Sequence, residues 1–349
     1  MTALHTPAAE QSPPAPSFPN LPGRESIPGL IWAFRVHTDG TPEELPVEQP
    51  IDDRHDGWLW LHFNLADARA QLWLASEAGL APAAANLLLS SDHHQQLHAK
   101  DACVYGVISD IVRQFDHATD QIGHLHFVMT DRWVISGRHH TLHAIEATRQ
   151  ALREGRRLTS MAALLETIVE HVADAIDGVV DKLGDELDRI EDRVVDDTLR
   201  DERSKLGRLR RTAVRLHRQL AGLRSLFHRI ERNGTLSSTP LLQVATTALV
   251  QRLDGLDHEV IAMRDRAHLL QEGVSGKLAE ESARNLQVLS ILTALLLPPT
   301  LITGVFGMNV KGLPFTEDTT GFLWALVLIA LSSASAYWLL RRMGIARRD

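Results

Sequence analysis

The sequence predicts an α+β domain, α/β/α-like in its layering, followed by long stalk helices and a two-helix C-terminal transmembrane hairpin. Three observations predict it. Two uncharged stretches, Leu286 to Phe306 and Gly321 to Leu340, are 21 and 20 residues long and stand at the far end of a 349-residue chain. Each is long enough to cross a hydrocarbon core at helical rise. Ahead of them, from Thr159, apolar residues recur at helical spacing. Ahead of those, residues 25–150 mix short aromatic, partly alternating runs with helix-like ones, the pattern of a sheet flanked by helices.

Residues 1–24 open with MTALHTPAAEQSPPAPSFPN, rich in Pro and Ala and without a basic segment or an apolar core. They are expected to form a disordered tail rather than a signal peptide. Leu30 to Val36 (LIWAFRV) and Trp58 to Asn64 (WLWLHFN) read as half-buried strands, separated by the chain breakers Gly40, Pro42 and Pro46. Asp67 to Leu89 reads as one or two helices, with Pro82 at a helix start. Val104 to Phe115, His124 to Met129 and Arg132 to Ser136 read as further strands, the last two joined by a tight hairpin at Thr130-Asp131.

The helical region spans 157–284. Its first segment carries a heptad-like seam of Leu165, Ile168, Val172, Ile176, Val179, Leu183, Leu187, Ile190 and Val194. Asp174 to Asp197 holds ten acidic residues, whereas Arg200 to Arg232 holds eleven basic ones along a seam of Leu206, Leu209, Leu216, Leu220, Leu223 and Ile230. An acidic helix followed by a basic one suits interhelical charge matching, and two independently solvated faces suit the pattern equally. Exposed pairs contribute only ~0–1 kcal/mol each, so the apolar seams must carry the stability. Asn233, Gly234 and Pro240 end that helix and open another, which runs into the first span with Gly273 and Gly276 as its weak points.

The first span (285–306) and the second (321–340) are joined by a short loop (307–320) and followed by a basic tail (341–349) with Arg341, Arg342, Arg347 and Arg348. The loop holds Lys311 against Glu317 and Asp318. Lys and Arg accumulate on the cytoplasmic side of membranes, so both termini are expected there and the loop outside. Within the first span, Leu286, Ser290, Thr293, Leu297, Thr300, Gly304 and Gly307 step alternately by four and three and form one stripe. Such a stripe serves as helix-packing glue or lines a pore. Two spans cannot enclose a pathway, so the pore reading requires an oligomer.

Composition narrows the chemistry. A net charge of −8 and the lack of a basic patch interleaved with aromatics exclude a nucleic-acid partner. The single cysteine, Cys103, excludes an internal disulfide framework. No GxSxG, HExxH or P-loop occurs, so neither an enzyme nor an ATP-driven pump is expected, and no cofactor. Eighteen histidines include the groups His93/His94 with His98, His124/His126, and His139/His140 with His143. His94 and His98, four apart, would share a helical face at a spacing used by metal ligands. They are candidates for a cytoplasmic metal site, while ordinary surface or hydrogen-bonded histidines remain the commoner outcome for each group.

Gly307-Met308-Asn309, following Phe306 and standing between two C-terminal spans, resembles the signature of the CorA family of divalent-cation transporters. The whole plan of the chain, from about residue 25 to 349, resembles that family as well. The resemblance implies a homopentameric funnel in the bacterial inner membrane, with copies of itself, lipid and divalent metal ions as its partners. It implies that the first span, with Ser290, Thr293, Leu297, Thr300 and Gly304, lines the pore, and that Gly307, Met308 and Asn309 form its outer mouth. Asn309 would present a ring of amide oxygens to a hydrated cation. The family's pore-facing hydroxyl falls on Thr300 and its hydrophobic constriction on Leu297. The following VKGLPF resembles the loop of the zinc-transporting ZntB branch, although Lys311 stands where that branch usually has Gly. The implied function is zinc uptake, proton-coupled in that branch, with a magnesium or cobalt channel as the alternative. Neither span carries an acid or a histidine for a proton relay. A membrane-anchored scaffold without transport is the competing class.

Overall fold

The computed structural model describes residues 27–49, 51, 57–76, 78–100, 103–114, 117–195, 202–232, 246–308 and 321–342. The expectations for tail 1–24, the helix break around Asn233 and Pro240, Asn309 with the loop to Thr320, and the tail from Met343 lie outside the described residues. The chain divides into two compact units, one of residues 1–192 with 205–268, the other of 193–204 with 269–349.

The first unit is built on a seven-stranded sheet in the order β2-β1-β3-β7-β6-β5-β4. Its strands are β1 (Leu30–Val36), β2 (Pro42–Leu45), β3 (Trp58–Asn64), β4 (Gln96–Lys100), β5 (Cys103–Gln114), β6 (His117–Met129) and β7 (Trp133–Arg138). Strands β4 to β7 form an antiparallel meander, and β1 pairs antiparallel with both β2 and β3. The two groups join where β3 lies parallel to β7, with Leu61 opposite Ile135. A parallel pair needs a crossover, and the chain between them supplies α1 (Ala68–Ser76) and α2 (Pro82–Leu89), the latter with Pro at its first position. At the β6–β7 turn, Thr130 N–H donates to Trp133 O at 2.9 Å.

Alternation along the strands sorts side chains to two faces. Ala33, Leu61, Phe63, Val128 and Ile135 pack with Trp73 and Leu74 of α1 and Ala84 and Leu88 of α2. Phe34, Trp60, Ile108, Leu125 and Phe127 face the other way, toward α3 (His143–Arg153) and the long helices. The result is the expected helix–sheet–helix layering.

The long helices are α4 (Met161–Val195), α5 (Glu202–Arg232) and α6 (Thr246–Gly307). The seam from Leu165 to Ile190 is buried at every predicted position, as are Leu216, Leu220, Leu223 and Ile230 of α5 and Leu249, Leu253, Leu256 and Val260 of α6. One core therefore runs from the sheet into the helices up to Val260. Charge matching routes largely through the third helix. Acidic Asp174, Asp188 and Glu191 of α4 pair with Arg252 and Arg266 of α6, and Arg224 of basic α5 pairs with Asp254 and Asp257 of α6. The pairing expected between α4 and α5 themselves is seen near their junction, where Arg193 meets Glu202 at 3.1 Å.

In the second unit α6 continues without a break through Gly273 and Gly276, and also through Pro298 and Pro299. At 62 residues it is about 93 Å long at the standard rise. The final helix is α7 (Gly321–Arg342).

Candidate functional site

The membrane-length parts of α6 and α7 are apolar and uncovered within the chain. Leu289, Leu297 and Leu301 are 60 %, 60 % and 65 % exposed, and Phe322 of α7 is 75 % exposed. Apolar area on this scale is stable only against lipid or against further copies of itself.

On α6, Leu289, Ser290, Thr293, Ala294, Leu297 and Pro298 line a shallow groove, so three residues of the predicted stripe share one concave strip. The threonine hydroxyls in and beyond this strip are already engaged as donors. Thr293 Oγ1 donates to Leu289 O at 2.8 Å, Thr300 Oγ1 to Leu296 O at 2.8 Å, and Thr303 Oγ1 to Thr300 O at 3.0 Å. A hydroxyl that donates back into its own helix keeps its oxygen lone pairs for an outside donor or cation. The strip therefore presents acceptors rather than donors. Pro298 and Pro299 add to this, because neither has an N–H for the carbonyls of Ala294 and Leu295 four residues back.

At Gly304 and Gly307 a Cβ would meet no atom of the described residues within 4 Å beyond the helix's own nearby backbone and chain neighbours. Packing among the described residues does not require glycine there. Gly307 is the last residue of α6, and Met308 N–H donates to Val305 O at 3.3 Å as the helix closes. Gly307 and Met308 thus stand at the C-terminal end of α6. Asn309, the proposed ligand, lies outside the described residues.

The histidine candidates fall elsewhere than a helix. α2 ends at Leu89, where Ser90 turns extended and its Oγ donates to Leu87 O at 2.9 Å. His94 lies in the turn that follows, bonded to Asp92 at 2.7 Å, and that turn holds the Asp92 carboxyl down to about 2. His98 is on strand β4, stacked on Tyr105 at 5.3 Å with Nε2 3.0 Å from Gln96 Oε1. The expected shared helical face is therefore corrected to a turn and a strand. Two residues four apart cannot distinguish a helix from that arrangement, and the pairing of Gln96–Lys100 with β5 decides it. Among the described residues, no group of three or more His, Cys, Asp or Glu side chains is placed, as the side chains stand, to hold a metal ion.

Spacing missed a second histidine set. His93 stacks on His124 with ring centroids 4.5 Å apart, and His126 meets His139 edge-on at 6.2 Å. These rings come from three separate histidine groups of the sequence, and only the i,i+2 alternation of His124 and His126 along β6 hinted at a shared face. Burial and the neighbouring rings push His124 down to about 4, and burial likewise lowers His126 and His139.

Comparison with known proteins follows this geometry. The sequence model of a family described as CorA-like Mg2+ transporter protein matches residues 55–342. The divalent cation transporter CmaX of Pseudomonas aeruginosa is 27% identical over 321 residues, covering 90% of this chain and 96% of that protein. The zinc transport protein ZntB of Klebsiella pneumoniae is 26% identical over 322 residues, covering 90% and 96%. Among solved structures, full-length CmaX superposes with a TM-score of 0.74 at 27% identity, over 92% of this chain and 99% of that one. The CorA magnesium transporter of Methanocaldococcus jannaschii superposes with a TM-score of 0.65 at 17% identity, over 89% and 98%, a likeness of fold. The soluble α/β domain, long helix and apolar C-terminal hairpin are the CorA-like fold, and the chain belongs to the CorA-like Mg2+ transporter family, whose activity is divalent-cation transport rather than enzymatic catalysis.

Proposed function

We propose that the chain is a homopentameric Zn2+ transporter whose pathway is lined by the Ser290–Gly304 face of α6 and closed at its outer end by Gly307, Met308 and Asn309. The observation that carries this reading is the acceptor-rich strip on an uncovered span that ends in Gly-Met-Asn. Rings of neutral oxygens, from Thr293 and Thr300 inside and from the Asn309 amide at the mouth, suit a dication that keeps part of its water. Leu297 supplies an apolar ring between the two threonines, able to gate by dewetting. Glycine at 304 and 307, which no contact among the described residues requires, leaves room for neighbouring copies.

Zn2+ is favoured over Mg2+ by the VKGLPF loop after Asn309 and by relatives at 24–27% identity described as zinc or divalent-cation transporters. The description of the matched family and the likeness to a magnesium transporter favour Mg2+ as the second reading. The arginines at 341 and 342 favour an inner-membrane orientation with both termini cytoplasmic.

The test is flux into proteoliposomes with Zn2+ and Mg2+ in parallel, with and without a pH gradient. We expect Zn2+ uptake above protein-free liposomes, abolished by Asn309→Ala and reduced severalfold by Thr300→Val with the assembly intact. Mg2+ flux without Zn2+ flux would reassign the cation. An Asn309→Ala variant as active as the wild type would remove the mouth from its assigned place.

A further inference from the structure

The histidine set outside the membrane spans has a chemistry of its own. His124 and His126 alternate on β6, so both side chains leave the sheet on the face that carries α1 and α2. His126 is fully buried, and its Nδ1 lies 3.0 Å from Leu87 O at the C-terminal end of α2. A carbonyl oxygen only accepts, so Nδ1 carries the proton and Nε2 is the bare, lone-pair nitrogen. That Nε2 is buried and has no hydrogen-bond partner. A buried ring nitrogen that meets no donor is an unmatched acceptor, with its lone pair open to a cation.

This tautomer, with one ring N–H tied to a backbone carbonyl and the other nitrogen free, is the arrangement in which proteins present histidine to a metal ion. The neighbours are of matching kind. His139 lies edge-on to His126 with centroids 6.2 Å apart, and His93 stacks on His124 at 4.5 Å. Coulombic coupling of His93 to His124, His126 and His139 places it among the other three rings. His93 and His139 are exposed, whereas His126 is buried and held by Leu87 O. Asp92, in the same turn as His93, is already committed to His94 and Gln96.

We propose that His93, His124, His126 and His139 form a binding site for one transition-metal dication of imidazole preference, Zn2+ or its neighbours Co2+ and Ni2+, anchored on His126 Nε2. The rings as they stand are stacked rather than converged, so binding draws His93 and His139 inward onto a fixed His126. An all-imidazole set selects such ions over Mg2+, which prefers oxygen. The site is distinct from the pathway and holds whether or not α6 conducts.

The test uses the full chain in detergent micelles with Zn2+ alone as the probe. Calorimetric titration would give stoichiometry and affinity, and zinc K-edge X-ray absorption would count imidazoles from their outer-shell scattering. Wild type should bind one Zn2+ per chain with at least three imidazole ligands. Asn309→Ala should keep that ion, which separates this site from the mouth and a failure here from a failure of the transport reading. The double variant His93→Ala/His139→Ala changes only exposed side chains and should weaken binding more than about tenfold. Affinity unchanged within about threefold in that variant, or a coordination shell with fewer than two imidazoles, would overturn the proposal.

Discussion

Asp110 shows how burial sets chemistry at a single residue. Its carboxyl is buried on β5 and accepts from Ile111 N–H at 2.6 Å and from Ala144 N–H at 2.9 Å, closing the N-terminus of α3 from another element. Desolvation raises its pKa and the backbone donors lower it, and desolvation wins, pushing it up to about 7. A pKa raised in the folded state means that the stabilisation is fully present below the unfolded value near 3.8 and is lost as pH rises through about 7. The buried histidines act oppositely. His62 is held well below 6.5 and His124 at about 4, so their contribution is present above 6.5 and is lost as pH falls toward those values. We expect Asp110→Asn to remove the opposing slope. The free energy of unfolding, measured with denaturant between pH 4.5 and 7.5, should then rise with pH more steeply in the variant, by up to about 1.4 kcal/mol per pH unit. Parallel curves for variant and wild type would show that Asp110 ionises freely.

Among the elements, α6 links two kinds of surface. Its first turns are amphipathic, with Leu253 wholly buried in the core shared with α4 and α5. Its exposed side carries the arginine that pairs with Asp174. These contacts differ in worth. Leu253→Ala leaves a cavity and should cost about 2–5 kcal/mol, whereas Arg252→Ala removes a solvated pair and should cost at most about 1 kcal/mol. Thermal unfolding of the two variants checks the order, and a larger loss for Arg252→Ala would make the ion pairs, rather than the seam, the adhesive between these helices. Asp257 is a third case. It is buried between His217, with Nδ1 at 2.6 Å, and the guanidinium of Arg224. Asp257→Ala leaves His217 Nδ1 without its partner and Arg224 with Asp254 alone, and should cost about 1–3 kcal/mol, above Arg252→Ala in the same measurement.

For the whole molecule, the controlling fact is surface that water cannot tolerate. Leucines of α6 and the phenylalanine and tryptophans of α7 lie open over lengths suited to a bilayer. Arg342 lies over the Trp338 ring at 5.3 Å at the end of α7, where an aromatic and a cation suit the water interface. The chain should therefore stay with membranes through alkaline carbonate washing and leave them only in detergent. Release by carbonate would mean that the two helices do not span. In mild detergent, native mass spectrometry should find five copies if the proposed pore forms, and a monomer would exclude any pathway lined by α6.

Much of this was legible because periodicity is a local property. The strands at Leu30–Val36 and Trp58–Asn64 have the bounds expected from their aromatic runs, and Pro82 opens α2. The seam of α4 is buried from Leu165 to Ile190 where steps of three and four placed it, and most of that of α5, while Val194 and Leu209 are only half-buried. The membrane-length stretches declare themselves by the absence of charge, and so does the hydroxyl stripe with Gly307 and Met308 at its end. Weakly patterned elements escaped. Strand β4 (QLHAK) was read through His94 and His98 as helical, β6 begins at polar His117 instead of His124, and α3 was not anticipated. Composition and spacing thus settle which segments must be hidden from water and at what period, since hydrophobicity is written residue by residue. Strand order, the tautomer of His126 and the meeting of four histidines from three distant groups depend on pairings between remote segments, and no local pattern carries them.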